Sequence, residues 1–177
     1  FPADVLRAAC SIPQVVNESQ VEKRVDLRGV DTFTIDGESA KDFDDAVSIS
    51  RYKDGCYELG VHIADVSHYV REGEIVDTEA VKRATSVYLV DRTIPMLPAE
   101  LSEGICSLKE GVDRLTMSAS MRVNSRGEVV SYKIFNSIIR SRKRFTYTTV
   151  AKIIEEKDEK LIKENKGLSE SLFTMHE

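Results

Sequence analysis

The sequence predicts an α+β fold: a mixed, mainly antiparallel sheet of hairpins with flanking helices. Two long segments, Ala46–Ala64 and Leu115–Ile139, alternate apolar and polar residues on either side of a short turn. Alternation with a period of two is typical of strands that bury one face, and two such strands joined by a turn indicate a hairpin. Apolar residues at helical spacing occur instead in Pro2–Ala9 and after Thr149. With 41% hydrophobic residues, the chain of 177 residues can bury the core of one ordinary domain.

The first thirty residues differ in character from the rest of the chain. Pro2–Ala9 is predicted to be a short helix, because Pro is favoured in a first helical turn. Gln14–Arg28 is polar and rich in charge, and the chain begins without Met. We therefore expect residues 1–30 to be a helical and extended arm that connects to a preceding domain. Residues 31–177 are expected to form the main domain.

The first hairpin surrounds the most acidic stretch of the chain. Thr32–Ile35 leads into that stretch as a β-type run, Ala46–Tyr52 leaves it, and Cys56–Ala64 returns after a turn. Because antiparallel strands bring their ends together, the end of the hairpin should carry His62 and Asp65 towards the acidic stretch. Both are secondary site candidates, and the alternative is that they are solvated residues at the edge of the sheet.

The second half of the chain repeats the hairpin pattern. Asp77 is predicted to cap a short helix, since Asp is a favoured N-cap residue. Leu115–Val123 and Glu128–Ile139 are predicted to pair as the second hairpin. A final helix is predicted to begin at a cap on Thr148 or Thr149.

Composition excludes several classes of protein. The three cysteines are widely spaced without a CxxC pair, so neither a disulfide framework nor a zinc site is predicted, and a reducing cytoplasm is expected. No apolar run approaches the about 20 residues of a membrane helix, so no membrane partner is expected. A net charge of -5 argues against a generally basic nucleic-acid-binding surface. Arg140–Arg144 is the one concentrated basic run, and it suits either contact with phosphates or a solvated strand end.

The acidic stretch Asp36–Asp45 places five carboxylates in ten positions. Like charges held a few ångströms apart raise one another's pKa and oppose folding, so such a cluster calls for a cation or a shared proton. Carboxylate oxygens without Cys or a nearby His favour magnesium, manganese or calcium over zinc. The stretch therefore predicts a site for a hard divalent cation.

Three other interpretations of this stretch are possible. A solvated acidic loop is common on surfaces, but here the charges flank Phe43 and lie between apolar strands. An EF-hand fails, because alignment on Gly37 puts threonines and a phenylalanine where carboxylates belong. An exonuclease of the Asp-x-Glu class matches at Asp36 and Glu38, although a motif of that size is weak.

The complete spacing Thr-Ile-Asp-Gly-Glu-x-Ala-Lys-Asp-Phe-Asp-Asp-Ala-Val at Thr34–Val47 closely resembles the signature of the ribonuclease II and ribonuclease R family of exoribonucleases, the RNB catalytic domain. The chain looks closest to the bacterial ribonuclease R members. Further blocks that resemble the family follow along the chain: Val25–Arg28, His62–Val70, Ser86–Leu89, Ile94–Pro98, Leu101–Ser102, Cys106–Leu108 and Asp113–Leu115.

The resemblance implies an activity and a set of site residues. Members hydrolyse single-stranded RNA processively from the 3′ end with Mg²⁺ and release nucleoside 5′-monophosphates; Mn²⁺ is the second candidate ion. By the same resemblance, Asp36, Asp42 and Asp45 are metal ligands. Asp44 is the aspartate most directly tied to catalysis, with Asp42 contributing, and Tyr88 stacks on the 3′-terminal base.

The resemblance also implies partners. The family's later block, His-Phe-Thr-Ser-Pro-Ile-Arg-Arg-Tyr, and its cold-shock and S1-type RNA-binding barrels have no counterpart in the sequence. We therefore expect residues 31–177 to be a partial catalytic domain that works with the remaining RNB segment and those barrels, and to be weak or inactive alone. The alternative is a catalytically incomplete RNA-binding or assembly fragment.

Overall fold

The computed structural model describes residues 1–177 throughout. Seven of its nine strands form one sheet and two form a separate ribbon. In chain order the strands are β1 (Val25–Asp26), β2 (Phe33–Asp36), β3 (Asp45–Arg51), β4 (Tyr57–Ala64), β5 (Val87–Tyr88), β6 (Thr93–Ile94), β7 (Asp113–Val123), β8 (Val129–Arg140) and β9 (Lys143–Thr146). The main sheet has the order β1-β8-β7-β4-β3-β2-β9, and β5 pairs with β6.

Helices flank this sheet. They are α1 (Ala3–Cys10), α2 (Glu18–Val21), α3 (Val66–Tyr69), α4 (Ile75–Arg83), α5 (Tyr147–Ile154), α6 (Glu159–Glu164) and α7 (Lys166–His176), with a π-helical segment at Glu100–Ile105. None of these helices is both long enough and apolar enough to pass through a membrane.

The sheet is mainly antiparallel, which confirms the predicted α+β class. The hairpins β3–β4 and β7–β8 pair over nearly their full lengths, and β4 pairs with β7 between them. Gly55 and Gly127 have φ of 84° and 77° in the two hairpin turns, a conformation that glycine adopts without strain. Two parallel pairs, β1 with β8 and β2 with β9, make the sheet mixed.

Each face of the sheet buries its own apolar cluster. On one face Phe33 and Phe145 meet edge to face at 5.6 Å and pack under α5 and α7 through Ile153 and Leu172. On the other face α1, α4 and the π-helical segment cover a larger cluster that includes Phe43 of the acidic stretch. Because Phe43 belongs to this core, the acidic stretch is tied to the body of the domain.

A buried polar layer crosses the second face of the sheet. His62 is 3% exposed, and its Nε2 and Nδ1 atoms lie 3.1 Å and 2.6 Å from the hydroxyls of Ser48 and Ser118. Burial lowers the pKa of His62 to about 4, so the imidazole is neutral at neutral pH. A Cβ at Gly60 would clash with Ser48 Oγ and lie 2.8 Å from His62 Nε2, so glycine leaves room for these two bonded side chains.

The first thirty residues pack directly on the sheet. Val5 and Ala9 of α1 are buried in the larger cluster, and β1 pairs with β8. Arg24 contacts Asp65 at 2.6 Å, and their side chains are only 8% and 6% exposed. Asp65 is therefore neither a solvated edge residue nor part of the acidic stretch, and buried His62 is not a solvated edge residue either.

The prediction that Asp77 caps α4 is wrong. The helix begins two residues earlier, at Ile75, and Asp77 lies in its first turn. From there the Asp77 carboxylate accepts a hydrogen bond from the backbone N–H of Gly73 at 2.9 Å. The carboxylate thus closes the preceding turn instead of capping the helix.

The final helix is also different from the prediction, because it is divided into three. Thr146 is the N-cap of α5 and accepts a hydrogen bond from the Thr149 N–H at 3.1 Å. Lys157 has φ of 54°, which a continuing helix cannot contain, and Asp158 then caps α6. The break lets α7 fold back on α5 and cover the sheet.

Candidate active site

The acidic stretch connects β2 to β3, two neighbouring strands that are paired over a very short length. The β2 and β3 strands pair only at Phe33 and Val47. Asp36 is the last residue of β2 and Asp45 the first residue of β3, so these two aspartates stand at the two ends of the loop. We call residues 37–44 the acidic loop. Asp42 is half-buried, whereas Asp44 and Asp45 are exposed.

Phe43 fixes the second half of the acidic loop. Its backbone N–H donates to Ser107 Oγ at 3.1 Å, and its carbonyl accepts from the Leu108 N–H at 2.9 Å. Ser107 Oγ in turn donates to the carbonyl of Lys41 at 2.6 Å. Since the Phe43 side chain is buried in the core, the loop cannot swing away without losing that packing.

Arg144 fixes the first half. The β9 strand runs parallel to β2, which places Arg144 opposite Thr34. Its Nη2 atom donates to the carbonyls of Gly37 and Glu38, the latter at 3.0 Å. Its guanidinium also lies 5.6 Å from the centre of the Phe43 ring, a cation–π distance. One side chain therefore contacts both halves of the acidic loop.

The aspartates act on one another electrostatically. Partial burial raises the pKa of Asp36, and the charges of Asp45, Asp42 and Asp44 raise it further, while Arg144 opposes them. Crowding by protein atoms raises the pKa of Asp44 although part of its side chain reaches solvent, and Asp42 and Asp45 add to the rise. The four aspartates thus repel one another electrostatically, and a bound cation would reduce that repulsion.

Glu38, the fifth carboxylate, faces another way. Its pKa is lowered by a hydrogen bond from Thr148, with a further contribution from Thr146. Both threonines lie where β9 passes into α5. Glu38 is not among the charges that shift the pKa of Asp36, and the Asp-x-Glu interpretation remains a prediction.

The donors suit a hard divalent cation, because all four aspartates offer oxygen ligands. No group of three His, Cys, Asp or Glu side chains is gathered closely enough to hold a metal ion in this conformation. The chemistry of Asp36, Asp42, Asp44 and Asp45 therefore fits such an ion, whereas their side chains would have to converge to bind it.

Two adjoining cavities open beside the acidic loop, of about 390 Å³ and 400 Å³. Asp42 and Tyr88 line both of them, and Asp44 lines the second. The β5–β6 ribbon presents Tyr88 with 70% of its surface exposed. The structure thus brings Asp42 and Asp44 together with Tyr88, whereas Asp36 and Asp45 line neither cavity.

Another cavity, of about 320 Å³, lies on the far part of the sheet beside His62. Several of its polar groups bond to one another: His62 bonds to Ser48 and Ser118, and Glu58 accepts from Ser120 at 2.8 Å. None of the predicted site residues lines this cavity, so the acidic loop remains the candidate site.

The basic run at the end of β8 is engaged within the chain. Arg140 pairs with Asp113 at 2.6 Å, Arg142 with Asp31 at 3.3 Å and Lys143 with Glu110 at 3.8 Å. Arg144 is the member that reaches the acidic loop. Its role and that of Ser107 were missed from the sequence, because their partners lie far away along the chain and no local pattern marks them.

The fold and the acidic loop define an RNB domain. The RNB domain family matches residues 24–177, and the chain belongs to that family. Within it the chain is related to ribonuclease R, as the sequence predicted: it is 54% identical to ribonuclease R of Thermotoga maritima over 156 residues, which are 88% of this chain and 22% of that protein. The chain spans about a fifth of the length of the curated relatives that it matches.

Solved structures agree with this assignment. RNase R of Mycoplasma genitalium in complex with ribose-methylated single-stranded RNA superposes with a TM-score of 0.84 at 30% identity, over 92% of this chain and 26% of that chain. Yeast Ssd1, described as a pseudonuclease, matches with a TM-score of 0.71 at 22% identity, over 78% of this chain and 17% of that one. The second match shows the shared fold alone.

Proposed function

We propose that the chain is the metal-binding part of a magnesium-dependent exoribonuclease, which degrades single-stranded RNA processively from the 3′ end to nucleoside 5′-monophosphates. The observation that carries this proposal is that Asp42, Asp44 and Tyr88 line one cavity beside the acidic loop. The complexes of the Mycoplasma genitalium relative with single-stranded and with double-stranded RNA support RNA as the partner. Mn²⁺ is the alternative ion, because its ligand preference is similar.

In this proposal each residue has a distinct task. Asp36, Asp42 and Asp45 would hold the divalent cation, which supplies activation of water and neutralises charge on the phosphoryl oxygens. Asp44 accepts the proton of the attacking water, with Asp42 beside it. Tyr88 stacks on the terminal base and thereby sets the position of the scissile phosphate, without selecting one base over another.

Loss of the Tyr88 ring is expected to weaken the binding of single-stranded RNA. Stacking on an aromatic side chain contributes about 1–3 kcal/mol per base, so Tyr88→Ala should raise Kd about 5- to 150-fold, whereas Tyr88→Phe should retain most of the affinity. Fluorescence anisotropy with a labelled oligonucleotide in Ca²⁺ measures this. Tyr132→Ala is the matched control, since Tyr132 is 68% exposed on β8. Equal losses for the two alanine variants would refute the role of Tyr88.

Mg²⁺ is expected to stabilise the folded chain through the aspartates. A ligand at 100 times its Kd adds about 2.7 kcal/mol, which corresponds to a rise in Tm of about 5–10 °C for a chain of this size. Loss of a residue that only orients a metal ligand already lowers metal affinity about 10- to 100-fold, and loss of a ligand should cost at least as much. Asp45→Asn should therefore raise the Mg²⁺ concentration that produces half of the rise in Tm by at least about 10-fold.

The control for this titration is Glu156→Gln, which removes an exposed carboxylate far along the chain from the acidic loop. It should leave the response of Tm to Mg²⁺ unchanged. A wild-type chain whose Tm does not respond to Mg²⁺ or Mn²⁺, or an Asp45→Asn response equal to the wild-type one, would count against the metal site.

A second candidate function is a catalytically incomplete RNA-binding or assembly fragment. It is favoured by the dispersed carboxylates of the acidic stretch, which are not gathered closely enough to hold a metal ion in this conformation. Metal-dependent release of mononucleotides from a 3′-tailed RNA by a full-length ribonuclease R that carries these 177 residues distinguishes the two candidates, because only the first predicts that the aspartates are needed for it. We expect weak or no turnover from these residues alone, and rates like those of a full-length ribonuclease R would exclude the second candidate.

A further inference from the structure

We propose that Arg144 is a positioning residue that holds the two halves of the acidic loop at a fixed separation. This inference rests on the proposed function for its consequence, because the separation matters when Asp36 and Asp45 must approach one ion. Its physical basis is independent of that function, and consists of the contacts that Arg144 makes.

The first half of the loop is held by hydrogen bonds. Arg144 Nη2 donates to the carbonyls of Gly37 and Glu38, which directly follow Asp36. The backbone of β9 is paired in register with β2, and the Arg144 N–H also donates to the Glu110 carboxylate at 3.0 Å. The backbone of Arg144 is therefore fixed, and its guanidinium determines the direction in which the chain leaves β2.

The second half is held through Phe43. The Arg144 guanidinium lies over the Phe43 ring at 5.6 Å, and Phe43 directly precedes Asp44 and Asp45. Phe43 is also bonded through its backbone to Ser107 and Leu108. Arg144 thus joins the segment after Asp36 to the segment before Asp44, although these segments are separated along the chain.

Arginine suits this task better than lysine. A planar guanidinium can donate to two carbonyls and stack on a ring at the same time, whereas an ammonium is a compact charge without a stacking face. Arg144 Nε is buried without a hydrogen-bond partner, which is a cost that the two bonds from Nη2 and the ring contact offset. The side chain is therefore held in this pose by the acidic loop.

The neighbouring arginine provides a matched control. Arg142 lies two residues earlier, and its partner is Asp31 at 3.3 Å, with both side chains well exposed. Arg142→Gln removes one positive charge from the same run without touching the acidic loop. Arg144→Gln also removes one positive charge and, in addition, the contacts with the acidic loop. Arg144→Lys keeps the positive charge but lacks the planar guanidinium and its set of N–H donors.

Amide hydrogen exchange in the 177-residue chain tests the proposal. In Arg144→Gln, the amides of Phe43 and Leu108, which hold the loop, are expected to exchange about 10-fold faster, while the amides of β4 keep their protection. Arg144→Lys is expected to be intermediate, and Arg142→Gln to match the wild type. The Mg²⁺ concentration at half effect on Tm should rise about 10-fold in Arg144→Gln, as for other residues that orient metal ligands.

Two outcomes overturn the proposal. One is unchanged exchange at Phe43 and Leu108 in Arg144→Gln. The other is a uniform rise that includes β4, which would show that Arg144 contributes only to general stability. If the wild-type chain fails to respond to Mg²⁺, the proposed function fails while the exchange measurement still decides the role of Arg144.

Discussion

The Asp44→Asn variant is expected to lose about 10²- to 10⁴-fold in the rate of RNA hydrolysis while its RNA affinity stays unchanged. The amide has nearly the shape of the carboxylate, so the loop and the cavity should be preserved. It cannot accept a proton from water, and general base catalysis contributes about this factor. The loss should therefore fall on the chemical step rather than on binding.

The measurement is a single-turnover assay in a full-length ribonuclease R that carries these 177 residues, with RNA in limiting amount. Glu38→Gln is the matched control, because Glu38 belongs to the same loop but is not among the charges that raise the pKa of Asp44. It should retain nearly the full rate. Wild-type turnover by Asp44→Asn, or an equal loss in Glu38→Gln, would contradict the role given to Asp44.

The parts of the fold that the sequence predicts well are formed by contacts between residues that are close together along the chain. The hairpins β3–β4 and β7–β8 follow from alternation and from turns that contain Gly55 and Gly127, because local pairing leaves a local pattern. The acidic loop between β2 and β3 was placed correctly for the same reason. Its significance came from the spacing of the aspartates, which resembles a known family.

The parts that were missed depend on contacts between distant residues. The β9 strand pairs in parallel with β2 across more than a hundred residues, and nothing in the basic run around Arg144 signals a strand. Parallel pairing requires a long connection and leaves no turn signal. For the same reason the sequence could not show that Arg144 reaches the acidic loop or that Arg24 reaches Asp65.

The candidate site was predicted in its composition but not in its geometry. Spacing along the chain identifies the aspartates, whereas their separation depends on where β2 and β3 diverge and on the contacts of Phe43. Tyr88 lines the same cavities as Asp42 although the β5–β6 ribbon lies more than forty residues further along the chain. Local sequence does not encode such juxtapositions, and the family resemblance supplied them.

The largest loss of stability is expected from Arg24→Met. This substitution leaves Asp65 buried without its partner, and breaking a buried ion pair from one side costs about 3–5 kcal/mol. It also removes the hydrogen bonds that Arg24 donates to the carbonyls of Thr116 and Ser137, at 3.3 Å and 3.4 Å. These bonds hold the amino-terminal segment against β7 and β8.

Urea unfolding at pH 7 measures the loss, and its dependence on pH gives a second test. Burial alone would raise the pKa of Asp65, but hydrogen bonds from Arg24 and Ser67 bring that pKa below its usual range. A lowered pKa in the folded state contributes stability above the ordinary Asp pKa of about 3.9, and this stability is lost as pH falls through the folded value. In Arg24→Met the Asp65 carboxylate is buried without its partner, so protonation of Asp65 stabilises the folded state of this variant.

The difference in unfolding free energy between wild type and Arg24→Met should therefore narrow as the pH falls towards about 4. Arg126→Met is the control, because Arg126 pairs with Glu128 in an exposed turn where ion pairs contribute little. A loss in Arg24→Met no larger than the loss in Arg126→Met would show that the buried pair does not anchor the amino-terminal segment. A difference that widens in acid would contradict the assignment of Asp65 as an ionised partner.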